Sequence, residues 1–218
     1  MDESHRERLP TATLILDVAE RLVQTRGFNA FSYADIAAEL KITKAALHYH
    51  FVGKAELGEE LINRYTLRFV NALSEIEART SDAPSRLAAY AELYLEVLRE
   101  QKMCLCGMLA TDFETLPDAM RAGVIHFCHE NEVWLSRVLE DGFEHGTLES
   151  EESPREIALM IFGCLQGAML IARPYGDPST FKSMASQLFK GLRAPSAKTS
   201  RSPSARRLGG AAKSGAKI

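Results

Sequence analysis

Apolar residues along most of the chain recur every three or four positions, the period of a helix with one buried face. From about Thr11 to Arg26 the stripe is Leu14, Ile15, Val18, Ala19, Leu22 and Val23, and Gly27 follows where a helix stop belongs. Ser32, with Asp35 three residues on, has the form of a capping box and opens a short helix that turns Ile36, Ala37 and Leu40 inward. Lys41-Ile42 makes a tight turn, and Thr43 caps a second short helix, Lys44 to His50. A long helix starts at Gly53-Lys54 and runs through Leu57, Leu61, Ile62, Tyr65, Phe69 and Leu73, fading near Thr80. Ala83-Pro84, Pro117 and Ser153-Pro154 each start another, since proline suits a first turn. A shorter piece covers about Leu105 to Phe113, and a final helix about Ser179 to Leu192. No run alternates with period two between turn dipeptides, so no sheet is expected. The pattern predicts an all-α protein of eight or nine helices without an internal repeat.

Composition bounds the class. With 46% apolar and 25% charged residues, the 218-residue chain reads as an ordinary globular protein. Met1 to Arg8 contains no apolar core of a secretory signal. The most apolar run, Ile157 to Ala172, contains Gln166 and two glycines and falls short of a membrane span, so it reads as a buried helix. Cys104, Cys106, Cys128 and Cys164 are too few for a disulfide scaffold, and a cytoplasmic, reducing location is expected, with no membrane partner. The net charge of −3 is uneven. The last 25 residues, from Ala194, hold six basic residues and no acidic one, which leaves 20 basic against 29 acidic over 1–193. An acidic body cannot hold nucleic acid by overall attraction, so any DNA contact must come from a local surface. The stretch 194–218 is poor in large apolar residues and is expected to be a disordered basic tail.

Two short capped helices joined by a tight turn, within residues 32–51, have the spacing of a helix-turn-helix. With Ala46, Leu47 and Phe51 locking the second helix, Thr43, Lys44, Ala45, His48 and Tyr49 face outward. A hydroxyl, a cation, a methyl, an imidazole and a phenol are what a helix in the DNA major groove would present. Lys54 opposes the dipole at the start of the next helix, a placement that a bound phosphate would reverse in sign. A merely solvated lysine is the plain alternative.

These pieces fall in the order of a known family. Gly27-Phe28, Ser32-Tyr33-Ala34-Asp35-Ile36-Ala37, Lys44-Ala45-Ala46-Leu47-His48-Tyr49-His50-Phe51 and Lys54 resemble the DNA-binding domain of TetR/AcrR regulators. The resemblance implies a three-helix reading domain over 9–69, a ligand-binding and dimerisation domain over 70–193, and then the tail. It implies that Thr43, Lys44, Tyr49 and Lys54 are phosphate or base contacts and that Tyr33 touches the backbone; Ser32, Ala45 and His48 complete the DNA-facing set. Two positions depart from the pattern. Lys41 stands where the family usually has glycine, at a cost of about 1–2 kcal/mol if the turn is left-handed. His48 stands where a tyrosine is usual, which bears on operator choice.

A single short reading helix binds DNA weakly, so a two-fold dimer on a near-palindromic operator is expected. Gly163-x-x-x-Gly167, with Ile161, Cys164 and Ala168, marks the helix for close pairing with a second copy; packing within one subunit is the alternative. In the resembled family the last two long helices form the dimer. That family also encloses a small-molecule effector, for which Tyr90, Tyr94, Phe113, His126, Phe127 and Trp134 would supply aromatic walls and polar tips; ordinary core packing is the alternative. Cys104 at a helix start could be a reactive thiolate sensing electrophiles. No motif sets Cys104 beside a base such as His126 or His129, so no enzyme is expected. The spacing of Cys104, Cys106, Cys128 and His129 fits no standard zinc motif, and no metal or cofactor is expected. The predicted function is transcriptional regulation, by a repressor released by a small molecule or electrophile, with an activator or an effector-independent regulator as the alternative.

Overall fold

The computed structural model describes residues 3–192, and their side chains from Thr11 onward. The tail at 194–218 lies outside the described residues. Nine α-helices and no strands occur among those described: α1 (Glu3–Arg26), α2 (Tyr33–Leu40), α3 (Lys44–His50), α4 (Lys54–Arg79), α5 (Ala83–Arg99), α6 (Leu105–Thr111), α7 (Asp118–Glu144), α8 (Pro154–Tyr175) and α9 (Pro178–Lys190). Short 3-10 turns follow α1, at Phe28–Ala30, and α6, at Phe113–Thr115. The starts at Gly53, Ala83, Pro117 and Ser153 fall where the caps predict. α1 begins earlier than its apolar stripe, and α4 runs unbroken across the expected boundary at residue 69.

The head is α1 to α3 with the first half of α4. Ile15, Leu22, Ile36, Leu47 and Leu57 are almost wholly buried there, each stabilising by roughly 1.5–3 kcal/mol. In the body α7 packs on α4 and α8, α8 on α9, and α5 against α7 and α9. The α8 sequence corrects one expectation. The helix reaches 22 residues and by length and composition alone could cross a membrane. It is also not wholly buried. Ile157, Ile161, Leu165, Ala168 and Ala172 enter the core, whereas Leu159, Met160, Gly163, Cys164, Leu170, Ile171 and Tyr175 form an exposed stripe on the opposite side.

Candidate DNA-reading head and effector-binding body

The reading head is built by local chemistry. Ser32 and Asp35 form the reciprocal capping box, the Ser32 backbone N–H and hydroxyl both donating to Asp35 Oδ2 at 2.7 Å. These bonds hold the Asp35 carboxyl below its ordinary range. The Thr43 hydroxyl accepts from Ala46 N–H at 3.1 Å and caps α3. Between the helices Lys41 sits at φ 56°, ψ 39°, the left-handed conformation that glycine would adopt without strain. Leu47 and Phe51 anchor α3 from below, and Thr43, Lys44, Ala45, His48 and Tyr49 all lie exposed on its outer side, Tyr49 at 60%.

Three of the residues expected to face DNA are engaged within the head itself. Lys54 does not reach into solvent: its ammonium turns inward, donates to the carbonyls of Phe28 and Phe31, and lies 4.5 and 4.2 Å from the centres of their rings. The helix dipole that disfavours a cation there is outweighed by two carbonyl acceptors and two ring faces. Partial burial still pulls its pKa down. Tyr33 likewise tucks beneath α3, its hydroxyl donating to the Phe51 carbonyl at 3.2 Å and its ring 4.9 Å from that of His48. Desolvation, aided by Glu56, pushes the Tyr33 phenol up to about 12. Ser32 spends its hydroxyl on Asp35. These three hold the head's shape, while the exposed row on α3 supplies its outer chemistry.

In the body, the expected aromatic walls form a packed core. Tyr90, Tyr94, Phe127 and Trp134 are buried, joined by Tyr65 and Phe69, and Tyr90 stacks on Trp134 at 5.4 Å. Their polar tips converge on Asn131, whose Oδ1 accepts from the Tyr90 hydroxyl at 2.6 Å and the Tyr94 hydroxyl at 3.1 Å. Asn131 Nδ2 in turn donates to the Phe127 carbonyl at 2.7 Å. Sequence reasoning missed Asn131, although it interrupts the apolar stripe of α7 at helical spacing from Phe127 and Trp134. His126 is no wall: it is exposed, 3.7 Å from Glu130. Phe113 lies in the 3-10 turn after α6, half-buried.

The thiols also depart from expectation. Cys104 is fully buried, accepts from the Tyr65 hydroxyl at 3.6 Å, and has its pKa raised because desolvation outweighs the N–H bonds at the helix start. A buried neutral thiol replaces the expected sensing thiolate. Burial raises Cys106 and Cys128 as well. Those two face a cavity of about 140 Å³ between α6, α7 and α8, with Met103, Met108, Phe162 and Gln166. Gly107 lets α6 lie against Gln166, whose side chain occupies the place a Cβ would take.

α6 is tied to the head. Beyond its end, Asp112 Oδ2 accepts from Phe28 N–H at 3.1 Å, and Asn29 Nδ2 donates to Thr115 Oγ1 at 2.9 Å. Before its start, Met103 N–H donates to the Gln24 carbonyl at 3.1 Å. Gly27, at φ 96°, makes the turn that brings Phe28 to Asp112. One short helix thus links the thiol-lined cavity to the segment that cages Lys54.

On α8, Ile161 and Ala168 are buried within their own subunit and are not available for pairing, whereas Gly163 and Cys164 are exposed and Gly167 is half-buried. A Cβ on either glycine would meet nothing within 4 Å.

Comparison with known proteins agrees with this architecture. Residues 15–61 match the model of bacterial regulatory proteins of the tetR family, and residues 83–188 that of a Tetracyclin repressor-like C-terminal domain. A TetR-family regulator from Agrobacterium tumefaciens is 30% identical, with a TM-score of 0.83 over 86% of this chain and 100% of that one. A TetR regulator from Legionella pneumophila is 33% identical, with a TM-score of 0.75 over 83% and 96%. The repressor DhaR of Mycobacterium sp. (strain GP1) is 22% identical over 75% of this chain and 82% of its own. The chain belongs to the TetR family of DNA-binding transcriptional regulators.

Proposed function

We propose that this regulator is a homodimeric repressor that leaves a near-palindromic operator when a small molecule enters its body. The observation that carries the reading is the exposed row Thr43, Lys44, Ala45, His48 and Tyr49 on α3, with Leu47 locked beneath it. Lys44 and Tyr49 take phosphate oxygens, and Thr43, Ala45 and His48 face base edges. The exposed stripe of α8 pairs with its copy, Gly163 and Gly167 allowing close approach. The two heads then fall on half-sites about 34–36 Å apart. Repression rather than activation is supported by the relative named as a repressor.

The effector binds under α6, beside Cys106 and Cys128. A cavity of about 140 Å³ is small beside the ~300–1,000 Å³ of ordinary ligand pockets. Occupation therefore lifts α6, and with it the Asp112 bond to Phe28. Thiols raised by burial favour a non-covalent occupant over an electrophile.

Selection of bound fragments from genomic DNA, followed by fluorescence anisotropy, tests the reading. The Lys44→Ala/Tyr49→Ala protein should lose at least ten-fold in operator affinity while remaining a dimer by sedimentation. Unchanged affinity overturns it.

A further inference from the structure

A second cavity lies apart from the thiol-lined one. The groove between α5 and α9 holds about 400 Å³, within the size range of small-molecule sites. Its walls are small and apolar: Ala88 and Ala91 on α5, Ala185 on α9, with Phe181 and Phe189 adding ring faces. The two helices run antiparallel, since Pro178 at the start of α9 shares a cleft with Leu98 near the end of α5. From Phe181 to Phe189 the groove extends roughly 12 Å at 1.5 Å per residue, the reach of a medium acyl chain.

The charges are lopsided. Lys182 and Lys190 line the groove, and neither makes an ion pair among the described residues. Glu92, on the facing wall, is neutralised by Arg99 at 2.5 Å. Ser186 adds a hydroxyl. Lys182, Ser186 and Phe189 lie on the flank of α9 opposite Met184, which is exposed on the other side, so a dimer that covers Met184 leaves the groove open.

We propose that this groove binds a single-chain amphiphile with an anionic head, the chain along the alanine floor and the head at a lysine. The site is distinct from the effector site under α6 and does not depend on it. Decanoate, kept below its micelle concentration, is the probe for calorimetry on the full-length dimer, with decyltrimethylammonium as the chain-matched cation. Saturable decanoate binding is expected, without comparable binding of the cation. Ala88→Phe, on an exposed position of α5, should abolish it, and Lys182→Glu/Lys190→Glu should weaken it at least ten-fold. Ala110 on α6 also lines the cavity beside Cys106 and Cys128, and Ala110→Leu, which fills that cavity, should leave decanoate binding unchanged. Equal binding of both probes, retention in Ala88→Phe, loss in Ala110→Leu, or no saturable binding of decanoate overturns the proposal. Operator affinity of Ala88→Phe without decanoate should match wild type, which separates failure of this site from failure of the repressor reading.

Discussion

At the scale of single residues, stability and reactivity depend on which polar groups turn inward and which backbones are strained. Lys41 holds a left-handed conformation that costs a side-chain-bearing residue about 1–2 kcal/mol. Glycine recovers this but spends more entropy on folding. Lys41→Gly should therefore raise stability by roughly 0.5–1 kcal/mol, read from urea melts. Asn131 accepts two tyrosine hydroxyls in the core. In Asn131→Leu one hydroxyl can still donate to the other, 3.1 Å away, so one buried donor is stranded, at a cost of about 1–3 kcal/mol; a smaller loss would mean that it finds another acceptor. The raised thiols order the cysteines by reactivity. Native-state alkylation at neutral pH, followed by mass spectrometry, should modify exposed Cys164 first and the buried Cys104 and Cys106 last. Rapid labelling of Cys104 would return it to the role of sensor. The Asp35 carboxyl, held low by its cap, contributes stability that is complete above its unfolded pKa and is lost as pH falls through the lower folded value. Asp35→Asn should flatten that acid limb.

At the scale of elements, helices are legible in the sequence wherever a cap and an apolar stripe coincide. Both caps of the helix-turn-helix and the outward row on α3 follow from such local rules, because the partners lie three or four residues apart. The inward turn of Lys54 is not legible, since its acceptors, Phe28 and Phe31, lie more than twenty residues away and are carbonyls that any sequence would offer. The two sides of α8 are hidden for a related reason. A helix that is apolar all round offers no polar face by which to tell its core side from its open side, so spacing alone puts Ile161 and Ala168 on the wrong one. Leu170→Glu in the middle of the open stripe should yield monomers by sedimentation without unfolding. Gly107 belongs at this scale too. Gly107→Ala displaces only the amide end of Gln166, a flexible side chain, so it should cost less than about 1 kcal/mol.

At the scale of the whole molecule, Tyr90, Phe127 and Trp134, expected to wall a ligand, fill their own space, Tyr94 lines only an open cleft of about 150 Å³ with Tyr65 and Phe69, and other cavities lie beside the thiols and between α5 and α9. Periodicity identifies which residues are inside, yet whether they leave a gap depends on packing across helices distant in sequence. The link from body to head also rests on a long-range pair, Asp112 with Phe28. Asp112→Ala should leave the fold intact and weaken the response of operator binding to an effector; an unaltered response would place the linkage elsewhere. The caged ammonium of Lys54 has a broader consequence. By tying Phe28 and Phe31 to the first turn of α4, it makes each reading head one rigid piece, so little ordering entropy is lost on reaching DNA. A stiff head cannot be switched off by melting. In the proposed dimer, control then acts by changing how far apart two such pieces are held, through the Asp112 tie to Phe28 and the α4 that carries each head, rather than through the chemistry of α3.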